Sequence, residues 1–232
     1  MRVILRSWRN LTTGNNKVLY NMGLYLRKEL KNGAEISVWE VTETEEELLK
    51  IISIPNEELE ELYYTKSGAR RREKLAVRAL LNTIFDEKVY LGHHDNGAPF
   101  IQNELTKISI THTNRFVAII THPTEEVGID IESIERDFSV VEKKALSEDE
   151  KEDLQDKNRN LQLAIYWCAK EAIYKRMSQH GVDFAKQMEV DKFNPREEGD
   201  IEATFINKDG SEEEFELEYE VFDNHVMVWL VG

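Results

Sequence analysis

The sequence has one cysteine, no run of 18 consecutive apolar residues, no internal repeat, no low-complexity linker, and too few basic residues to balance its acidic ones. With Cys168 alone, no internal disulfide can form, and a reducing compartment fits. Without a long apolar run, no membrane-spanning helix is expected. The opening stretch, MRVILRSW, is too short in its apolar part for a signal peptide, so a cytoplasmic location is expected. Thirty basic against 45 acidic residues leave a net charge of -15, which argues against non-specific binding to nucleic acid or to an anionic membrane. The same imbalance removes long-range attraction for any acidic protein partner.

What remains is ordinary for a globular chain with a real core: 41% hydrophobic and 32% charged residues over 232 positions, enough for one large domain or two small ones. Strands are expected over 2–5 and 35–41. A helix is expected over 42–52, opened by a Thr44/Glu47 capping box, and a short one over 56–64 behind Pro55. A longer helix is expected over 67–85. Residues 107–113 and 116–121 read as a hairpin, and 127–131 as a short apolar strand. Ser147 with Glu150 is a second capping box, opening an acidic helix to about residue 158. The tail turns to β over 188–193, 201–206, 214–221 and 226–231, with turns at Asp209-Gly210 and Asp223-Asn224.

The stretch that organises the rest is WCAKEAIYK, residues 167–175, inside an apolar run over 161–177 that reads as a buried helix. Lys170, Glu171 and Lys175 interrupt it. Glu171 and Lys175 are four apart and share a face, and charges on such a helix are costly to bury unless paired or bound to something charged. The simplest reading of them is an ion pair at the edge of the core. In the strand VGIDI, Asp130 and the following Glu132 point to the same side. Two carboxylates on one face of an otherwise apolar strand need a cation, and hard oxygen donors of this kind suit Mg²⁺. Near residue 70, Lys66, Arg70, Arg71, Arg72, Lys74 and Arg78 form a basic cluster. It reads either as a solvated face paired with carboxylates or as an anion site. The His93-His94 pair reads as surface loop, and His112, at the end of its strand, as a structural histidine.

Taken together, NGAPF, SITHT, GIDIE and WCAKEAIYK, in that order over residues 70–184, resemble the 4′-phosphopantetheinyl transferases. Within that family they are similar to the longer type that activates surfactin synthetase, as distinct from the short trimeric type. The resemblance implies an α+β fold of two similar subdomains in one chain, 1–122 and 123–232, acting as a monomer, with the active site in the cleft between them. It implies transfer of 4′-phosphopantetheine from coenzyme A to a serine of an apo acyl or peptidyl carrier protein, releasing 3′,5′-bisphosphoadenosine. Asp130, Glu132 and Glu171 would hold Mg²⁺. Glu171 would also be the base, Lys175 would bind the pyrophosphate and Lys170 would assist. Thr111 and His112 match the pair that contacts the nucleotide phosphates, and Lys66 and Arg72 are candidates for the 3′-phosphate by offset. Ala98 stands where the family often has lysine. Trp167 and Cys168 read as packing.

Three other readings compete. A Mg²⁺-dependent nuclease would want lysine two positions after Glu132, where Ile134 stands. A non-catalytic carrier-protein or coenzyme A binder would have no need of the complete carboxylate set. A purely structural protein leaves Asp130, Glu132, Lys170, Glu171 and Lys175 unexplained together. Since carrier proteins are usually acidic, docking to a chain of this charge is expected to be mostly apolar, with local basic residues.

Overall fold

The computed structural model describes residues 23–85, 88–102 and 104–232, so the strand expected over 2–5 lies outside the described residues. The chain divides into two compact units, Met1–His94 with Pro99–Thr124 and Asp95–Ala98 with Glu125–Gly232.

In the first unit, strands β1 (Leu24–Glu29) and β2 (Glu35–Glu40) precede helices α1 (Glu45–Ile51), α2 (Asn56–Tyr64) and α3 (Gly68–Ile84). The hairpins β3 (Leu91–His93)/β4 (Pro99–Ile101) and β5 (Lys107–His112)/β6 (Phe116–His122) follow. The Thr44/Glu47 box caps α1 in both directions, and the Ser67 hydroxyl accepts from the Arg70 N–H at the start of α3. An antiparallel sheet of order β1-β2-β6-β5 carries the core of this unit. Leu75, Ala76, Val77, Ala79, Leu80 and Leu81 of α3 pack against β2 and β6. Strand β1 was not foreseen, because LYLRKE ends in three consecutive charged residues that break the apolar alternation.

The second unit is a five-stranded antiparallel sheet of order β7-β11-β10-β9-β8. Its strands are β7 (Val127–Ser133), β8 (Met188–Val190), β9 (Glu198–Ile206), β10 (Glu212–Phe222) and β11 (His225–Val231). Helix α6 (Arg159–Met177) packs on β7 and β11, and the short helices α4 (Ser139–Lys144), α5 (Glu148–Glu152) and α7 (Phe184–Gln187) surround it. Asp223 and Asn224, both in the left-handed region at φ 43° and 59°, make the tight β10–β11 turn. The helix expected to run to residue 158 ends at Glu152: the fully buried Gln162 side chain donates to Asp153 O (3.1 Å) and accepts from Gln155 N (2.9 Å), holding 153–158 as a loop. The first tail strand stops at Val190, three residues short of expectation.

The outer face of β9 and β10 sets like charges opposite each other: Glu202 faces Glu216, Asp200 faces Glu218 and Glu198 faces Glu220, while Ile201, Ala203, Phe215 and Leu217 fill the inner face. Directly opposed like charges destabilise a sheet, and salt screens them. In a chain of net charge -15, raising sodium chloride from about 0.05 M to about 0.5 M is expected to raise the melting temperature by a few degrees. A fall in a thermal-melt series would contradict this.

Candidate active site

Helix α6 and strand β7 meet through a glycine. A Cβ added at Gly128 would lie 2.0 Å from the carbonyl oxygen of Ala172, so only glycine lets the helix backbone come this close. Gly128, Asp130 and Glu132 alternate onto one strand face, and Gly128 shows that this face looks at α6. On the helix, Trp167, Glu171 and Lys175 form a row at intervals of four. Four residues advance a helix about 6 Å and two advance a strand about 6.6 Å, so the contacts made at the two ends, eight helix residues against two strand residues, close because the long Lys175 side chain reaches back one step toward the helix N-terminus. Trp167 meets Glu132 at one end, with indole Nε1 donating to Oε1 at 3.1 Å. Lys175 meets Asp130 at the other, with Nζ 2.7 Å from Oδ1 and 2.9 Å from Ile129 O. Glu171 sits in the row between them. The ion pair expected of Lys175 is therefore made with Asp130 across the helix–strand contact. Arg136 pairs with Glu132 on the same oxygen that Trp167 binds.

The electrostatics follow from this crowding. Burial, reinforced by the Asp130 charge, pushes Glu171 up to about 7, and the nearby Lys175 and Arg136 offset only part of the rise. Burial and Asp130 also raise Glu132. Cys168, completely buried, has its thiol pushed well up by burial and then by Asp130 and Glu132, which removes it as a nucleophile and fits the packing role expected of it.

Lys170 is not in this row, and the expectation that it assists at phosphate is corrected. Its side chain is completely buried. Nζ donates to Glu150 Oε2 (2.6 Å) and to the carbonyls of Ala145 (2.8 Å), Met188 (2.9 Å) and Phe184 (3.1 Å). Glu150, the capping-box residue, also accepts from Ser147 N and Val190 N. An ammonium with four acceptors and no exposure is a tie between elements.

In the first unit, most of the basic cluster is consumed by carboxylates: Arg71 by Glu45, Lys74 by Glu61, Arg78 by Glu58 and Arg70 by Glu73. Lys66 and Arg72 are the exceptions, both exposed and without an ion pair among the described residues. His112 Nε2 lies 2.9 Å from both Glu73 Oε1 and Arg70 Nη1. Thr111 is buried at 3% exposure and His112 is exposed, so the two side chains leave opposite faces of β5. His94 packs its ring on Phe100.

Asp130, Glu132, Glu171 and Lys175 all lie in one stretch of the second unit. That stretch can be compared with known families. Residues 126–229 match the 4′-phosphopantetheinyl transferase superfamily. No curated protein matches the chain. The superfamily segment runs from the start of β7 into β11 and holds both rows; Lys66, Arg72, Thr111 and His112 lie before it. Among the described residues, no three His, Cys, Asp or Glu side chains are gathered closely enough to hold an ion as they stand. Lys175 and Arg136 occupy one oxygen each of Asp130 and Glu132 instead. The donor set nevertheless fits a hard divalent cation: three carboxylates on facing rows, two of them, Glu132 and Glu171, raised by burial and then by the Asp130 charge, a repulsion that a cation would relieve. Trp167, read as packing from the sequence, holds one of these carboxylates. Its signal was the interval of four to Glu171. Among the described residues, no helix is long and apolar enough to cross a membrane.

Proposed function

We propose that the chain is a Mg²⁺-dependent 4′-phosphopantetheinyl transferase that modifies an apo acyl or peptidyl carrier protein, of the type that activates surfactin synthetase, built as the subdomains 1–122 and 123–232. The observation that carries this reading is the pair of facing rows, Gly128-Asp130-Glu132 against Trp167-Glu171-Lys175, inside the segment that matches the superfamily.

The carrier serine oxygen attacks the β-phosphorus of coenzyme A. The bond from that phosphorus to the bridging oxygen breaks, and 3′,5′-bisphosphoadenosine leaves. Such a transfer depends mainly on positioning and on charge stabilisation. Mg²⁺ held by Asp130, Glu132 and Glu171 would supply neutralising charge to the phosphate oxygens. Glu171 takes the serine proton, directly or through a water. Lys175, one turn on, exchanges Asp130 for the pyrophosphate. Lys66, Arg72 and His112 bind the nucleotide phosphates in this reading, which for these three rests on the family resemblance and, for Lys66 and Arg72, on charges without an ion pair among the described residues; Thr111, buried on the face of β5 opposite His112, is left out of that set. Incubation with coenzyme A, Mg²⁺ and a panel of apo carrier proteins should release 3′,5′-bisphosphoadenosine in step with carrier modification. No release with any carrier, while a known transferase works in parallel, would contradict the proposal.

A further inference from the structure

Trp167 does more at Glu132 than fill space. Its indole N–H is a donor with no accepting capacity, so it selects an unprotonated carboxylate oxygen. That N–H points at Glu132 Oε1 at 3.1 Å. The ring is fixed from two sides. The Phe184 ring lies 5.7 Å away, and the Arg136 guanidinium lies 5.7 Å from the indole and 5.3 Å from the ring of Phe138. Arg136 donates to the same Oε1. Two fixed donors thus converge on one oxygen of a side chain that otherwise has three rotatable bonds. The other oxygen, Oε2, accepts no hydrogen bond among the described residues.

We propose that Trp167 is a positioning residue for cation binding: its N–H, together with Arg136, pins Glu132 by Oε1 and presents Oε2 to the metal. The assignment rests on the metal reading given under the proposed function. Outer partners that orient a ligating carboxylate commonly change metal affinity by about 10- to 100-fold when lost. The geometry gives a reason for tryptophan here that packing alone does not. Phenylalanine would lose the N–H together with part of the ring, whereas a bicyclic ring of the same shape without the N–H would lose the hydrogen bond alone.

The test uses the full chain and Mn²⁺ as the probe, with free Mn²⁺ followed by electron paramagnetic resonance in the absence of coenzyme A. Trp167→Phe is expected to bind Mn²⁺ about tenfold more weakly than the wild-type chain, with its circular dichroism unchanged. Replacing Trp167 with benzothienylalanine, which puts sulfur in place of the indole N–H at the same shape, carries the test should the phenylalanine variant fold poorly. It is expected to show the same loss. A residue that served packing alone would leave Mn²⁺ affinity unmoved in the isosteric variant. Unchanged affinity in the folded variants overturns the assignment and leaves the proposed transfer reaction standing. No Mn²⁺ binding by the wild-type chain overturns the metal reading and this assignment together.

Discussion

Glu171→Gln is expected to lower phosphopantetheine transfer by about 10²- to 10⁴-fold, the usual range for loss of a positioned general base, and at the same time to make the protein more stable above neutral pH. The second effect has a definite sign. Burial and the neighbouring Asp130 raise the folded-state Glu171 to about 7, well above its ordinary value. Between those values the folded state holds a proton that the unfolded state has released. The stability contribution is therefore fully present below about pH 4 and lost as pH rises through about 7. Glutamine carries no charge to penalise. The variant should match the wild type near pH 4 and exceed it at about pH 8, by on the order of 2 kcal/mol after allowance for partial solvent access. Thermal melts across that pH range check this. A variant less stable than wild type at about pH 8 would show that Glu171 is held ionised by partners in the folded state. Retention of full transfer activity would remove it as the base.

Lys170→Met is expected to be among the most damaging single substitutions in the second unit. It leaves Glu150, 2% exposed, as a buried charge without its cation, and removing one partner from a buried pair costs about 3–5 kcal/mol. It also strands the carbonyls of Ala145, Phe184 and Met188. Adding Glu150→Gln should recover part of the loss, because glutamine removes the charge and keeps an acceptor for Val190 N. Chemical denaturation of the single and double variants measures both steps. The double variant should be the more stable of the two, and the reverse order would contradict the account. Were Lys170 a phosphate ligand, the single variant would lose activity at unchanged stability.

These two residues, neighbours in sequence, show what could be read before the fold was known. The carboxylates of GIDIE and the Glu171/Lys175 interval were legible because strand alternation and helical spacing place side chains without any knowledge of the tertiary contact. The side to which Lys170 turns was not, since α6 is buried over most of its surface and no apolar stripe marks its outer face. Nor was the exchange of partners by which Lys175 binds Asp130, because it depends on the register that Gly128 allows. In the basic cluster, the pairing of Arg71, Lys74 and Arg78 depended on glutamates 26, 13 and 20 residues away, which spacing along one helix cannot reveal. The capping boxes and tight turns, all local, were found where expected. The short helices α4 and α7, of six and four residues, carry too few turns to show a period.

The central claim is that the facing rows of β7 and α6 transfer phosphopantetheine. It is tested most directly by the intact mass of an apo carrier protein after incubation with coenzyme A and Mg²⁺, with the modified residue then located by fragmentation. The wild-type chain should add one phosphopantetheine arm to a single carrier serine, and Asp130→Asn combined with Glu132→Gln should add none. An unmodified carrier with the wild-type chain, or full modification by the double variant, would contradict it.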